Sequence, residues 1–406
     1  MDAFTHNGLF YFVIQSGIVW LPIALLILLW KLWIFYIQQL WISKRDWRML
    51  HIRIPSTMLR SPISMEIILG AMYQTGGVAE WHKRWWEGRV RAWHSLEIVS
   101  IEGNVYFFIR TESRFVNIIS SAIYSQYPQA EVMQVDDYTR HIEVYTRQND
   151  WGIFGIDWRL KKPDAYPIKT YVDWGLDKAV GVDEEEKIDP LAQMIEYMGT
   201  IGPGEQIWTQ ILITPGINRN RVPGTWFKYD SWQDEAKREL DSLIAKYSQE
   251  DKDGNLVFNY TRLRTSEKDT IEGIERSLNK QGFDAGFRTM YLAKGKNFDG
   301  NHIAGLLTMT KQFGVEGLNS FAIAGTTSND FAYEDFAEVG LERRKKNFFD
   351  AFVRRAYFYH PYKKQPFVLT TEELATLFHF PGRVSETPGF GRIDSRKSEP
   401  PSNLPI

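Results

Sequence analysis

The densest run of side chains able to do chemistry lies near the end of the sequence. Between residues 343 and 364, Arg343, Arg344, Lys345, Lys346, Arg354, Arg355, Lys363 and Lys364 are set among Phe and Tyr, and only Asp350 opposes them. Cations in such a run neutralise phosphates, and interleaved rings stack on bases. The pattern therefore fits contact with nucleic acid without sequence preference. It fits equally a surface helix whose aromatic face packs inward. The aromatics read as packing, and the basic face stays open to DNA, lipid or protein.

A second cluster, Trp81, Trp85, Trp86 and Trp93, is interleaved with Lys83, Arg84, Arg89 and Arg91. Tryptophan mixed with cations suits a segment resting on anionic headgroups. It also suits a docking surface, or a connection whose rings pack on a sheet. Residues 105–109 (VYFFI) place aromatics on a strand, but the basic-glycine-aromatic pattern of RNA-stacking sheets is missing.

Enzymatic chemistry is scarce. The sequence contains no G-x-x-x-x-G-K-[ST] loop to cradle phosphate, no H-E-x-x-H, no G-x-S-x-G and no EF-hand loop. Histidines at 6, 51, 82, 94, 141, 302, 360 and 379 show no ligand spacing on a helix, and the acidic run 183–186 reads as a solvated loop. The absence of cysteine excludes thiol nucleophiles, disulfides, Cys-ligated zinc and iron–sulfur clusters. No catalytic, cofactor-binding or metal-ligating residue is assigned, and the protein is expected not to be an enzyme. With 48 Lys and Arg against 50 Asp and Glu, the net charge is −2. That balance argues against coating nucleic acid over the whole surface and leaves room for local basic patches.

The elements that position these residues begin with a membrane anchor. Residues 9–30 (LFYFVIQSGIVWLPIALLILLW) carry no charge. As a helix they span about 33 Å, enough to cross a bilayer core. Trp30, Trp33, Tyr36 and Trp41 form an interfacial belt, and Lys31 can snorkel to the headgroups. A cleaved signal peptide does not fit, because the leading residues carry Asp2 without Lys or Arg and no small-residue cleavage site follows. Lys31, Lys44, Arg45 and Arg48 follow the span, which puts the C-terminal side in the cytoplasm by the positive-inside rule. Trp30, Lys31, Trp33, Trp41, Trp81, Trp85 and Trp86 are the expected membrane-interface residues.

The fold class expected beyond the anchor is α+β, with two ferredoxin-like (split βαβ) modules and a C-terminal tail that is first helical and basic, then extended. In the first module, strands near 49–55, 94–101, 105–110 and 130–135 alternate with helices near 62–74 and 114–126, and Glu102-Gly103-Asn104 marks a tight hairpin. The second repeats the order more loosely. It has a strand at 168–174, a helix from Leu191 capped by Asp189-Pro190, a strand at 206–214, a helix at 266–281 and a strand at 287–293. The expected boundaries are 1–48 for the anchor and juxtamembrane segment, 49–160, 161–330 with an insertion near 215–265, and 331–406 for the tail.

Several segments taken in order resemble a known family. SLEIVSIEGNVYFFIR (95–110), IYSQYP (123–128) with VDDYT (135–139), DPLAQMIEYMGTIGPGEQIWTQILI (189–213) and FVLTTEELATLFHFPGR (367–383) resemble the N-terminal membrane-anchor and accessory region of type IV secretion (conjugation)-like coupling ATPases. TPGFGRIDSRKSEPPSNLPI (387–406) resembles the linker into their motor. The resemblance covers most of 50–406, and with no Walker loop the family's ATPase activity does not carry over. It implies a single-pass inner-membrane component, N-terminus outside, that tethers and helps assemble a separate P-loop ATPase in an oligomeric machine translocating DNA or protein. Residues 367–406 would meet the ATPase. The alternative expectation is a membrane-anchored adaptor or receptor for a protein or lipid ligand, with no translocation role.

Overall fold

The computed structural model describes residues 3–55, 60–75, 81–142, 151–177, 188–217, 220–221, 225, 229–250, 256–258, 263–328 and 339–381. It comprises two compact units, Met1–Asp46 with Gly77–Arg91, and Trp47–Gly76 with Ala92–Ile406. The chain begins with α1 (Ala3–Ser43), β1 (Trp47–Arg53), α2 (Ile63–Tyr73) and a short α3 (Trp81–Trp86). The hairpin β2 (His94–Ile101) and β3 (Asn104–Glu112) precedes α4 (Val116–Gln126), β4 (Glu131–Val135) and β5 (Trp151–Leu160). Next come α5 (Pro190–Gly199), β6 (Glu205–Pro215), α6 (Trp232–Tyr247) and α7 (Thr265–Leu278). The described chain ends through β7 (Gly282–Lys294), α8 (Asn301–Thr308), β8 (Phe321–Thr326), α9 (Val339–Val353), β9 (Phe367–Thr370) and α10 (Thr371–Leu377).

In the first unit, α1 is a single helix of 41 residues with Pro22 inside it. Its stretch from Trp20 to Ser43 is long and apolar enough to cross a membrane and is largely exposed.

The second unit is built on one antiparallel sheet of nine strands, in the order β8-β5-β7-β6-β2-β3-β1-β4, with β9 lying beside β7. Numbered by chain order within each half, the strands lie 4-1-3-2 in both, as β4-β1-β3-β2 and as β8-β5-β7-β6. The halves join through β2 and β6, in register from His94 opposite Ile213 to Ile101 opposite Gln206. One sheet thus runs through both halves of the sequence. The expected hairpin is present, and Glu102 and Gly103 both take positive φ (53° and 85°), as a two-residue turn between right-twisted strands requires. Asp189 caps α5 by accepting from Leu191 N at 2.8 Å, with Pro190 in the first turn.

One second-half expectation needs correcting. Residues 168–174 are not a strand, because their backbone donors are engaged elsewhere. Ile168 N donates to Glu373 and Tyr171 N to Thr376 Oγ1, each at 2.9 Å. The strand that opens this half is β5, which hides in the sequence as a nearly continuous apolar run covered on both faces. The strand expected at 287–293 is present as part of the longer central strand β7, and β8 lies at the edge. The tail is also corrected in part. Residues 367–381 are wholly buried, with β9 paired to β7, so they belong to the core. Residues 382–406 lie outside the described residues, as do Gly76, Gly77 and the acidic run 183–186.

One face of the sheet carries Leu96, Phe107, Ile156 and Phe287 beneath α2, α4, α5 and α10, which contribute Ile68, Ile119, Ile195 and Leu374. The other carries Val99, Phe108, Trp208 and Met290 beneath Tyr138 and the Phe348, Phe349 and Phe352 stripe of α9.

Candidate functional site

The basic stretch contributes to the structure in two different ways. Helix α9 is amphipathic, with Phe348, Phe349, Ala351 and Phe352 buried. Arg343, Arg344 and Lys346 lie on its exposed side, and Lys345 is half-buried. Lys345 pairs with Glu342 at 3.4 Å, and Arg354, exposed, pairs with Asp350 at 2.8 Å. Lys363 is exposed.

Arg355 overturns the surface expectation. Its side chain is fully buried. It sits two residues past α9 with φ 52°, a left-handed conformation that costs a non-glycine residue roughly 1–2 kcal/mol. That turn aims the guanidinium at the sheet. Nε and Nη2 donate to the two oxygens of Glu97 at 2.9 and 3.0 Å. The same group donates to both oxygens of Asp137, through Nη2 at 3.0 Å and through Nη1. Tyr138 Oη donates to Glu97 at 2.8 Å, and Gln210 Nε2 donates to it at 3.1 Å. Arg288 Nε donates to Gln210 Oε1 at 2.7 Å and Nη2 to the Ala356 carbonyl at 3.2 Å. Lys364 is likewise committed, to Asp157.

Charge in this cluster is set by pairing. Burial pushes the Glu97 carboxyl up, but the charge and hydrogen bonds of Arg355 more than reverse this and hold it below the usual carboxylate range. Asp137 follows the same balance. Burial lowers Arg288 to about 10 against the opposing pull of Asp157. Glu97, Asp137, Arg288 and Arg355 are thus held in their charged forms at neutral pH. With Glu97 and Arg355 closed off from solvent, the arrangement fastens the end of α9 to the sheet. Sequence reading missed Glu97, Asp137, Gln210 and Arg288. The available signal was a polar residue inside an apolar strand, as in SLEIVS and QIWTQILIT.

A cleft of about 550 Å³ opens beside β5 and β8, lined by Asp157, Lys162, Asp230, Trp232, Tyr357 and Lys364 among others. Its charges are largely paired: Lys364 with Asp157, Asp230 with Arg238. Lys162 Nζ donates to the carbonyls of Glu316 and Gly317 at 2.6 and 3.0 Å.

Residues 66–391 match the family described as Domain of unknown function (DUF8128). The chain belongs to the DUF8128 family. The match begins in α2 and covers every strand of the sheet except β1, so the Arg355 cluster lies wholly within the DUF8128 region. No curated protein matches this DUF8128 chain.

The expected membrane-interface residues fall in the first unit of the DUF8128 protein. Trp30 and Trp33 are exposed, as are Lys31 and Trp86, with Trp81 the most exposed of the aromatics at 73%. The ring of Trp30 stacks on Trp85 at 5.7 Å, and the Arg45 guanidinium lies 3.5 Å over Trp41. Among the described residues, no group of His, Asp or Glu is arranged to hold a metal.

Proposed function

We propose that the protein is a non-enzymatic, single-pass membrane component of a type IV secretion or conjugation-like translocation machine. In this reading α1 anchors it in the inner membrane with the sheet on the cytoplasmic side. The sheet unit tethers a P-loop ATPase and helps it assemble into an oligomer. Each half reads as a split βαβ unit, since both share the 4-1-3-2 strand order. The exposed basic side of α9 would contact DNA through its phosphates.

The observation that carries the reading is how FVLTTEELATLFHFP is held. In the resemblance this stretch precedes the motor linker. Here Thr370 and Glu373 form a reciprocal cap at the start of α10, and His379 Nε2 pairs with Asp189 Oδ2 at 3.0 Å. The described chain is therefore held fixed up to Pro381, as the start of a tether transmitting force to or from a motor needs. Because residues 367–381 are buried, the contact with the ATPase is assigned to residues beyond Pro381 and not to 367–406 as a whole.

The test is crosslinking in cells followed by detergent purification of the whole chain and of a truncation ending at Pro381, with co-purifying proteins identified. A P-loop ATPase recovered with the whole chain and lost on truncation supports the reading. No ATPase with either sample overturns it in favour of the adaptor or receptor for a protein or lipid ligand.

A further inference from the structure

Helix α1 is longer than a bilayer needs. Its 41 residues extend about 60 Å, twice the roughly 30 Å hydrocarbon core. Two stretches could cross, residues 9–30 or the window from Trp20 to Ser43. The second would place Lys31 at the bilayer centre, where an unpaired cation is costly.

Contacts inside the first unit decide between them. The α3 segment lies along α1 from Trp30 to Ile37. Trp85 stacks on Trp30 with an interplanar angle of 24°. Three residues later, Gly88 lies directly on the α1 backbone, where an added Cβ would come within 2.4 Å of the Ile37 carbonyl. Gly88 also has φ +69°, so glycine is needed for both conformation and approach. Ile37 is buried, whereas Phe35 and Tyr36 beside it are exposed. A segment bearing Lys83, Arg84, Glu87 and Arg89 therefore lies beside the second half of α1, and so many charges cannot share hydrocarbon depth. Trp81 and Trp86 nevertheless expose 73% and 65% of their surface.

We propose that the hydrocarbon boundary falls at Trp30, that residues 31–43 form a helical stalk outside it, and that α3 is an arm binding anionic phospholipid headgroups. Trp81 and Trp86 enter the interface, where an amphipathic ring is favoured. Lys31 and Arg84, with Lys83 beside them, face the phosphodiesters. The occupant is lipid because the surface is continuous with a membrane-crossing helix and its cations outnumber Glu87. The inference is independent of any translocation role.

The protein contains no cysteine, so single cysteines report without background. The whole chain is reconstituted in lipid nanodiscs, whose two faces are both open to a water-soluble maleimide. Labelling is expected to be blocked in Leu26→Cys and Leu29→Cys and rapid in Tyr36→Cys and Leu40→Cys. Equal protection at all four positions would place the span at 20–43 and overturn the boundary. Environment-sensitive dyes on Trp81→Cys and Trp86→Cys are then read against headgroup-spin-labelled lipid. Quenching is expected in discs containing phosphatidylglycerol, weak in phosphatidylcholine alone, and reduced about fivefold for each of Lys83→Glu and Arg84→Glu. Quenching indifferent to lipid charge and to both variants would overturn the arm.

Discussion

Arg355 donates through Nε and Nη2 to both oxygens of Glu97, a residue 258 positions away in the sequence. It thereby pins the end of α9 to β2. The pair is fully buried on both sides, and breaking such a pair leaves a buried charge without its partner. Arg355→Met is expected to destabilise the protein by about 3–5 kcal/mol, as it strands Asp137 as well. Arg355→Lys should also cost stability, because an ammonium cannot reproduce the forked contact. Arg355→Gly relieves the left-handed backbone and should still be destabilising. Chemical denaturation in detergent checks all three. A loss under about 1 kcal/mol for Arg355→Met would mean that the cluster does not hold α9.

His94 sits between Thr75 Oγ1 at 2.7 Å and Thr111 Oγ1 at 2.9 Å. Burial, then the charge of Arg114, lowers it to about 3. A histidine whose folded value lies below its unfolded one favours the neutral fold. Its stabilisation is complete above the unfolded value near 6.5 and erodes as pH falls toward 3. Relative to His94→Gln, the native protein is expected to lose about 2 kcal/mol between pH 7 and pH 5. A constant difference across that window would show that His94 is not held neutral.

Glu373 runs the other way. Burial raises its carboxyl to about 7, against donation from Thr370 and Ile168. With the folded value above the unfolded one, the fold favours the protonated acid, and stability falls as pH rises from about 4.5 to 7. The two slopes nearly cancel, so each must be read as a difference between protein and variant. Glu373→Gln is expected to be destabilising at pH 5, where the amide presents donors to Ile168 N, and to lose part of that deficit by pH 8. If the deficit instead widens with pH, the carboxylate is the preferred form and the three donors outweigh burial.

The exposed cations of α9 have a different expected signature. Arg343 and Lys346 stand three residues apart on one helix, a like-charge spacing that disfavours the helix slightly. Replacing both with Glu should leave stability within about 0.5 kcal/mol. If α9 contacts DNA, the double variant should weaken binding to all sequences alike. Each lost phosphate contact lowers the slope of log affinity against log salt by about 0.9. DNA binding with an unchanged slope would remove α9 from the interface.

The sequence made local features legible and long-range ones obscure. The α5 cap at Asp189, the hairpin at Glu102-Gly103 and the apolar α1 rest on neighbours in the chain, and all are where their residue types place them. β5 was obscured because a strand covered on both faces loses its alternation. Residues 168–171 mimic a strand, but their donors are satisfied by side chains of α10 some two hundred residues later. Arg355 looked like its basic neighbours because nothing local announces a positive φ at an arginine. Its role depends on Glu97 and Asp137, which only the fold brings to it.

Helix α9 is also seated by glycine. An added Cβ at Gly155 in β5 would lie 2.3 Å from the Phe348 ring, and one at Gly286 in β7 would lie 2.5 Å from the Tyr357 ring. The aromatic rings therefore lie flat against bare backbone at the two places where α9 and its following turn cross the sheet. Gly155→Val must displace Phe348, because the ring has the Arg355 cluster holding its helix at one end and the sheet beneath it. The expected cost is about 1–3 kcal/mol of overpacking. Pairing the variant with Phe348→Ala should recover part of the loss by opening the space that the new side chain needs, which two independent sites would not do. Additive losses from the pair, measured by thermal and chemical denaturation, would show that α9 does not rest on Gly155.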